Sequence, residues 1–278
     1  MSSRVGAIVT GASRGIGKAC AVALAETGYD VVITARTVRH ADETWDPERR
    51  ADQPLPGSLE ETADDITAAG GAAHIVPLDL LDTARLPVAA AEALGALDSL
   101  DLLVNNAVVA APGNYDRALD ADLDDVEQRL TGNVTAQLRF MMPIVADMVA
   151  QGRGTVLNMT SGAATARPFA LPGQGGWSLG YTIAKAAFHR IAPQLAFEYG
   201  DVGLVARNVQ PGMVATERVK LVGDATAAIA RRGVEPRVVG LALAHVATHI
   251  EDHPPLETIQ LQAVARDLGL LPPDAAVT

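Results

Sequence analysis

The chain has 278 residues, 49% hydrophobic and 20% charged, with a formal net charge of −11 from 22 Lys+Arg against 33 Asp+Glu. That composition excludes a wholly disordered chain, and its acidity argues against a nucleic-acid partner, whose phosphates it would repel. No uninterrupted apolar run reaches the roughly 18 residues of a membrane span. The stretch Met1-Ser2-Ser3-Arg4 leads into an apolar segment without a signal-peptide pattern. A cytoplasmic address and no membrane partner are therefore expected. Cys20 is the one cysteine, so no internal disulfide or cysteine-based zinc site can form, and no metal site is expected. Of the 22 cations, 19 are Arg and three are Lys: Lys18, Lys185 and Lys220.

Strand and helix signals alternate from the start. Residues 5–10 (VGAIVT) form an apolar run ending in a Gly-rich turn, as a buried parallel strand does. Residues 15–28 place Ile16, Ala19, Cys20, Ala23 and Leu24 at helical spacing. Residues 30–35 (DVVITA) are β-branched and read as strand two. Residues 37–57 are polar, hold three prolines and read as a long inserted loop. Ser58-Leu59-Glu60-Glu61 is a capping box that opens the next helix. Strand three follows at 73–78, a helix with Pro87 in its first turn at 83–95, and strand four at 101–105. A long helix is expected over 123–150, bent at Pro143, then strand five at 155–159. A second long helix is expected over 179–199 and strand six at 204–209. A helix-rich tail carries a short last strand at 258–262. Six βα units in series predict an α/β fold: one doubly wound parallel sheet, helices on both faces, one domain over 1–278.

The first βα turn reads Thr10-Gly11-Ala12-Ser13-Arg14-Gly15-Ile16-Gly17. Glycines there permit a tight turn and let the backbone approach a pyrophosphate, while the following helix N-terminus offers free amides and a positive dipole end. Lys18 is followed by Ala19, not Ser or Thr, so the loop is not a nucleoside-triphosphate P-loop. Strand two ends Thr34-Ala35-Arg36 without the acid that holds an NAD ribose. Arg14 and Arg36 are two guanidiniums suited to a 2′-phosphate, so NADP(H) is the expected cofactor, with NAD(H) the alternative.

Further segments line up with the glycine loop. These are Asn105-Asn106-Ala107 after strand four, Asn133 in the long helix, Ser161 after strand five, Tyr181-Thr-Ile-Ala-Lys185, and Pro211-Gly212 with Thr216 after strand six. With four Tyr and three Lys in the chain, about 0.04 Tyr-x-x-x-Lys pairs are expected by chance, so the one present carries weight. Over residues 5–216 the chain resembles the short-chain dehydrogenase/reductase family of the short single-domain type. The resemblance implies a Rossmann-type fold, a nicotinamide cofactor and a catalytic tetrad of Asn133, Ser161, Tyr181 and Lys185. It further implies cofactor contacts from Gly11, Ser13, Arg14, Gly15, Ile16, Gly17, Arg36, Asp79, Leu80, Asn106, Ala107, Tyr181, Lys185, Pro211, Gly212, Val214 and Thr216. Asp79 could instead cap the next turn. A homo-oligomer, dimer or tetramer, through the two long helices is implied as well.

The residue types fit that chemistry. A carbonyl reduced by hydride becomes an alkoxide and needs a proton. Tyr donates one, and a cation one helical turn away favours the phenolate left behind. By resemblance Lys185 also binds the nicotinamide ribose and Asn133 holds a relay water. Ser161 would hydrogen-bond the substrate oxygen. Four departures stand out. Val108 replaces the usual Gly after Asn-Asn-Ala. The 37–57 insertion is either a cover over the adenosine end or a surface loop. Residues 167–177 lengthen the gap between Ser161 and Tyr181 and bring Phe169, Leu171 and Trp177 toward the substrate. The tail lacks the family's Asp-Gly-Gly strand end. Residues 213–235 are expected to form a substrate lid. The resulting expectation is an NADP(H)-dependent oxidoreductase acting on a small-molecule carbonyl or alcohol of apolar character, with Ser161, Trp177 and Tyr181 at the substrate. The alternatives are an NAD-linked alcohol dehydrogenase or a non-catalytic dinucleotide-binding regulator.

Overall fold

A computed structural model describes residues 5–40, 55–110, 113, 115–221, 226–272 and 275. Seven strands lie side by side in the order β3-β2-β1-β4-β5-β6-β7, every neighbouring pair parallel. They are β1 (Val5–Thr10), β2 (Tyr29–Ala35), β3 (Ala73–Pro77), β4 (Leu102–Asn105), β5 (Gly154–Met159), β6 (Leu204–Gln210) and β7 (Ile259–Gln260). Side chains alternate faces along a strand, so both faces of an inner strand must be apolar. Val9, Ile33, Val104 and Leu157 face one layer, while Ile8, Val32, Leu103 and Val156 face the other.

Helices α1 (Gly15–Glu26), α2 (Leu59–Ala68), α10 (Pro236–Thr248) and α11 (Leu261–Asp267) cover the first face through Leu24, Leu59, Leu243 and Leu261. Helices α3 (Leu86–Gly95), α5 (Ala136–Gln151) and α7 (Ile191–Tyr199) cover the second through Leu86, Phe140, Ile144 and Leu195. Each such fully buried side chain contributes roughly 1.5–3 kcal/mol. Between α3 and α5 runs α4 (Leu123–Leu130), and α6 (Leu179–His189) precedes α7. Two short helices, α8 (Glu217–Leu221) and α9 (Ala227–Arg232), follow β6.

Three local expectations change. The helix expected over 123–150 does not turn on Pro143, which sits inside α5 on its exposed side, where water can meet the carbonyl its missing N–H leaves free. The interruption is a π-helical turn, Thr131–Thr135, at which Ala136 N–H bonds Thr131 O five residues back. Such insertions often mark functional positions, and this one holds Asn133. The helix expected over 179–199 breaks at Arg190. Pro193 has no N–H to give to His189 O, and Asn208 Nδ2 from β6 donates to that carbonyl at 2.8 Å instead. The capping box is half-formed. Ser58 Oγ accepts from Glu61 N–H at 3.1 Å, but the Glu61 carboxylate pairs with His40 at 3.1 Å rather than turning back.

Helix α10 lies directly on α1, and a Cβ at Gly240 would stand 2.4 Å from Ala19 O. Both partners are backbone, so neither can give way as a flexible side chain does. Gly240→Ala is expected to cost about 3 kcal/mol through overpacking, read as a lowered urea midpoint with unchanged slope.

Candidate active site

The carboxyl ends of β1, β4 and β5 and the start of α1 meet at one edge. Gly11 and Gly15 have φ of +69° and +57°, left-handed values that disfavour a side chain. A Cβ at Gly17 would lie 2.2 Å from Gly11 O and 2.5 Å from Asn106 Nδ2. The loop is sealed to β4 by Asn106 Nδ2, which donates to Thr10 O at 2.9 Å, and by Thr10 Oγ1, which accepts from the amides of Asn106 and Ala107 at 2.9 and 3.0 Å. Gln137 Nε2 on α5 holds Ala107 O at 2.8 Å. The first amides of α1 therefore face a backbone-walled cradle into which no side chain intrudes from Gly15 or Gly17. A phosphate-bearing ligand fits such a cradle.

Beside it opens a cleft of about 200 Å³ lined by Ile16, Asn106, Val108, Val109, Ala110, Arg129, Met159, Thr160, Tyr181, Lys185, Pro211 and Arg218. Tyr181 and Lys185 stand one turn apart on α6, which Ser178 starts by accepting Tyr181 N–H at 3.4 Å. Lys185 Nζ donates to Met159 O at 3.0 Å, and burial pulls its pKa down to about 8. Thr160 Oγ1 bonds His189 Nδ1 at 2.9 Å. Burial lowers the His189 pKa as well. Ser161 caps the short turn Gly162–Ala164, its Oγ accepting from Ala163 N–H at 3.2 Å. The hydroxyl proton is thus left to point elsewhere. Asn133 lies behind the cleft wall: its Oδ1 accepts from Val109 N–H at 2.6 Å and its Nδ2 donates to Val109 O at 3.0 Å.

Other expected residues are spread around this centre. Val108 is the cleft-lining replacement for the usual Gly and is 47% exposed. Leu80 and Ser13 are buried. Arg36 is exposed at the tip of β2. Arg14 does not point outward alone: its guanidinium binds Pro56 O at 2.7 Å, Gly57 O at 2.8 Å and Thr37 Oγ1 at 3.1 Å. The returning end of the 37–57 insertion is thereby tied to the glycine loop, while residues 41–54 lie outside the described residues. Asp79 Oδ1 accepts from Leu81 N–H at 2.9 Å, the turn-capping alternative.

In the 213–235 segment, Val234 N–H bonds Met213 O at 3.0 Å and Ala215 N–H bonds Val234 O at 2.9 Å, so its two ends are stitched together. Gln262 Nε2 holds Pro211 O and Met213 O, both at 3.0 Å. Residues 222–225 of that segment are outside the described residues. Thr216 packs over Gly15, and Val214 is buried. Trp177 is not among the cleft-lining residues; it meets Phe169 edge-on at 5.0 Å between ring centroids and sits over Gly162. Phe169 and Leu171 are exposed rather than lining the cleft.

Sequence reasoning names Thr160 as the neighbouring candidate to Ser161, and it passed over His189, Gln137 and Arg129. The last is buried and lies on α4 one turn before Asn133. That spacing alone was the available signal, and it does not distinguish a cleft-facing Arg from a solvated one. The Asn133–Val109 pair gives a direct expectation. In Asn133→Ala, Val109 N–H loses its buried acceptor, so its hydrogen-exchange protection collapses while β4 amides stay protected. Retained protection at Val109 would show that another group holds it.

A family model described as short chain dehydrogenase matches residues 6–53 and 53–226. An uncharacterised oxidoreductase of Mycobacterium tuberculosis strain H37Rv is 30% identical over 245 residues, covering 85% of this chain and 88% of its own. A short chain dehydrogenase from Mycobacterium paratuberculosis, solved bound to NAD, superposes with TM-score 0.73 at 25% identity, covering 92% of this chain and 95% of its own. A metagenomic short-chain oxidoreductase solved in complex with NADP gives TM-score 0.69 at 26% identity, covering 92% and 96%. With this sheet order, this glycine cradle and these matches, the chain belongs to the short-chain dehydrogenase/reductase family and is an oxidoreductase that uses a nicotinamide dinucleotide.

Proposed function

We propose that the chain is an NADP(H)-dependent enzyme that interconverts a ketone or aldehyde with its alcohol, favouring a substrate with an apolar body. One observation carries the reading: Tyr181 and Lys185, one turn apart, share a single cleft with Asn106 and Ile16 of the glycine-loop edge. A regulator that only bound a dinucleotide would need the cradle but not that pair.

The cradle of Gly11, Gly15 and Gly17 and the amides opening α1 suit a pyrophosphate; Thr216 packs over Gly15 and Pro211 lines the adjoining cleft, and with Gly212 and Val214 they would hold the cofactor from the lid side. The bound nicotinamide would supply or accept the hydride. The chain's own residues manage the proton. Tyr181 Oη gives its proton to the alkoxide oxygen as it forms and takes it back in the oxidative direction. The Lys185 ammonium lowers the free energy of the phenolate between those events. Ser161, whose Oγ already accepts one bond, donates its O–H to the substrate oxygen and stabilises its developing charge. Asn133 fixes Val109 in the cleft wall, and its second N–H and lone pair are what a relay water would use. The preference for NADP(H) is supported by the missing carboxylate at Thr34-Ala35-Arg36 and by the two guanidiniums of Arg14 and Arg36. The apolar substrate body is supported by Val108, Val109, Ala110 and Met159 in the cleft.

Apolar side chains also stand exposed on the helices between β4 and β6: Leu123 on α4, Met142 on α5, Leu179 and Ile183 on α6 and Phe197 on α7. They support assembly of the chain with copies of itself through these helices. Light scattering is expected to give a dimer or tetramer; a monomer at micromolar concentration would refute that.

The catalytic reading is tested by NADPH oxidation over a panel of ketones and aldehydes. Tyr181→Phe is expected to keep NADPH binding and to lose about 10²–10⁴ in turnover. Near wild-type turnover would remove Tyr181 from its role. Tighter binding of NADH than of NADPH in paired titrations would overturn the cofactor assignment.

A further inference from the structure

One carboxylate stands against the glycine cradle itself. Glu217 is the first residue of α8 and follows Thr216. A Cβ at Gly15 would lie 3.3 Å from Thr216 Cγ2 and 3.6 Å from Glu217 Oε2. Gly15 opens α1, so the carboxylate oxygen is carried to the helix end whose amides form the cradle. That oxygen is shielded from water and has no hydrogen-bond partner among the described residues. Cations nearby in the chain are engaged elsewhere. Lys18 on α1 pairs with Asp65 at 2.8 Å, and Lys220 on α8 pairs with Glu235 at 3.2 Å. The Arg14 guanidinium binds Pro56 O and Gly57 O.

The segment that carries Glu217 is tied at its base. Met213 and Ala215 are bonded to Val234, and Gln262 Nε2 holds Pro211 O and Met213 O. Thr216 Oγ1 accepts from Val219 N–H at 3.3 Å and so shapes the first turn of α8. Glu217 is thus delivered to the cradle by an anchored stretch of chain.

A shielded carboxylate oxygen with no donor is costly. The positive end of the α1 dipole offsets part of that cost. A pyrophosphate drawn to the same amides brings further negative charge to the place where this oxygen lies. The two anions compete for one helix end, and like charges brought together away from water repel strongly. Because it is attached to the chain, Glu217 competes at a high effective concentration. A dinucleotide must also leave once in every cycle, and release is a common limit on turnover.

We propose that Glu217 is an internal competitor of the cofactor pyrophosphate, holding dinucleotide affinity down and keeping the cofactor exchangeable. When the dinucleotide binds, the carboxylate turns away from the α1 amides; when it leaves, the carboxylate returns. The inference rests on the nicotinamide-dinucleotide reading of the cradle and adds to it the residue that limits the cofactor's hold. It concerns the pyrophosphate, which NADPH and NADH share, and does not depend on which of them is preferred.

The test is binding of NADPH and of NADH, read by fluorescence titration, and dinucleotide release, read by stopped-flow displacement. Glu217→Gln keeps the shape of the side chain and removes its charge. It is expected to bind the preferred dinucleotide about tenfold or more tighter than wild type and to release it more slowly. Glu217→Ala is expected to change in the same direction. Glu235→Gln removes an equal charge from the same segment, away from the cradle, and is expected to stay within about twofold of wild type. Unchanged or weaker binding in Glu217→Gln overturns the proposal, as does tighter binding without slower release. An equal gain in Glu235→Gln assigns the effect to net charge and overturns it too. If wild type binds a dinucleotide and Glu217→Gln alters nothing, this proposal fails alone. If neither wild type nor any variant binds NADPH or NADH, the cofactor reading fails and the proposal falls with it. If Glu217→Gln does not fold, Glu217→Ala decides the matter.

Discussion

Helix α1 meets the end of β4 at a distance that leaves no room for a side chain at Gly17, and this contact orders everything around it. Gly11 O stands 2.2 Å and Asn106 Nδ2 2.5 Å from where a Cβ would be. Backbone therefore packs on backbone, and the turn between β1 and α1 must fold back through Gly11 and Gly15, both in the left-handed region. The polar groups crowded there need partners. Thr10 and Asn106 supply them to one another and to the loop. The result is an edge closed by its own hydrogen bonds beside the first turn of α1, whose amides are the feature a pyrophosphate uses.

The same edge is polar deeper in the sheet. Thr34, Thr10, Asn105, Asn158 and Asn208 occupy matching positions on β2, β1, β4, β5 and β6, and all are buried. Asn105 Nδ2 donates to Asn158 Oδ1 at 2.8 Å, and Asn208 holds the carbonyl freed by Pro193. This row separates the dry core from the cleft. Amides placed there join the strand ends to the helices above them. The π-helical turn at Asn133 adds another link. One extra residue in the helix moves the Asn133 amide onto Val109, so a cleft wall on one loop is braced by a helix from the next βα unit.

Much of this was legible in the sequence because its causes are local. β-branched runs gave the strands, and the glycine spacing gave the cradle. Tyr181 and Lys185 share a helix face by simple periodicity. What was not legible depends on partners distant in the chain. Pro143 looked like the bend in the long helix, but it sits on the wet side of α5 where its lost hydrogen bond is cheap. The π turn has no residue signature of its own. The break at Arg190 follows from Pro193 only once Asn208 is known to meet the orphaned carbonyl. Trp177 suggested a substrate wall, but its ring found Phe169 and Gly162 instead. Arg14 had the right charge for a cofactor phosphate, and the chain also uses it to hold Pro56 and Gly57. Arg129 was hidden among many arginines, because a heptad of helix sequence does not say which face meets a cleft.

The scarcity of lysine then has a physical meaning at one position. Arginine cannot serve as an adjustable cation in a buried site, since its charge persists at any accessible pH. Lys185 can: burial brings its pKa to about 8. The sign of the linkage is that of a base whose folded pKa is depressed. Below about pH 8 the lysine is charged in both folded and unfolded chains and its burial opposes folding, and that opposition fades as the pH rises beyond the folded value. Any anion entering the cleft reverses the effect, because it favours the ammonium form and draws a proton onto Lys185.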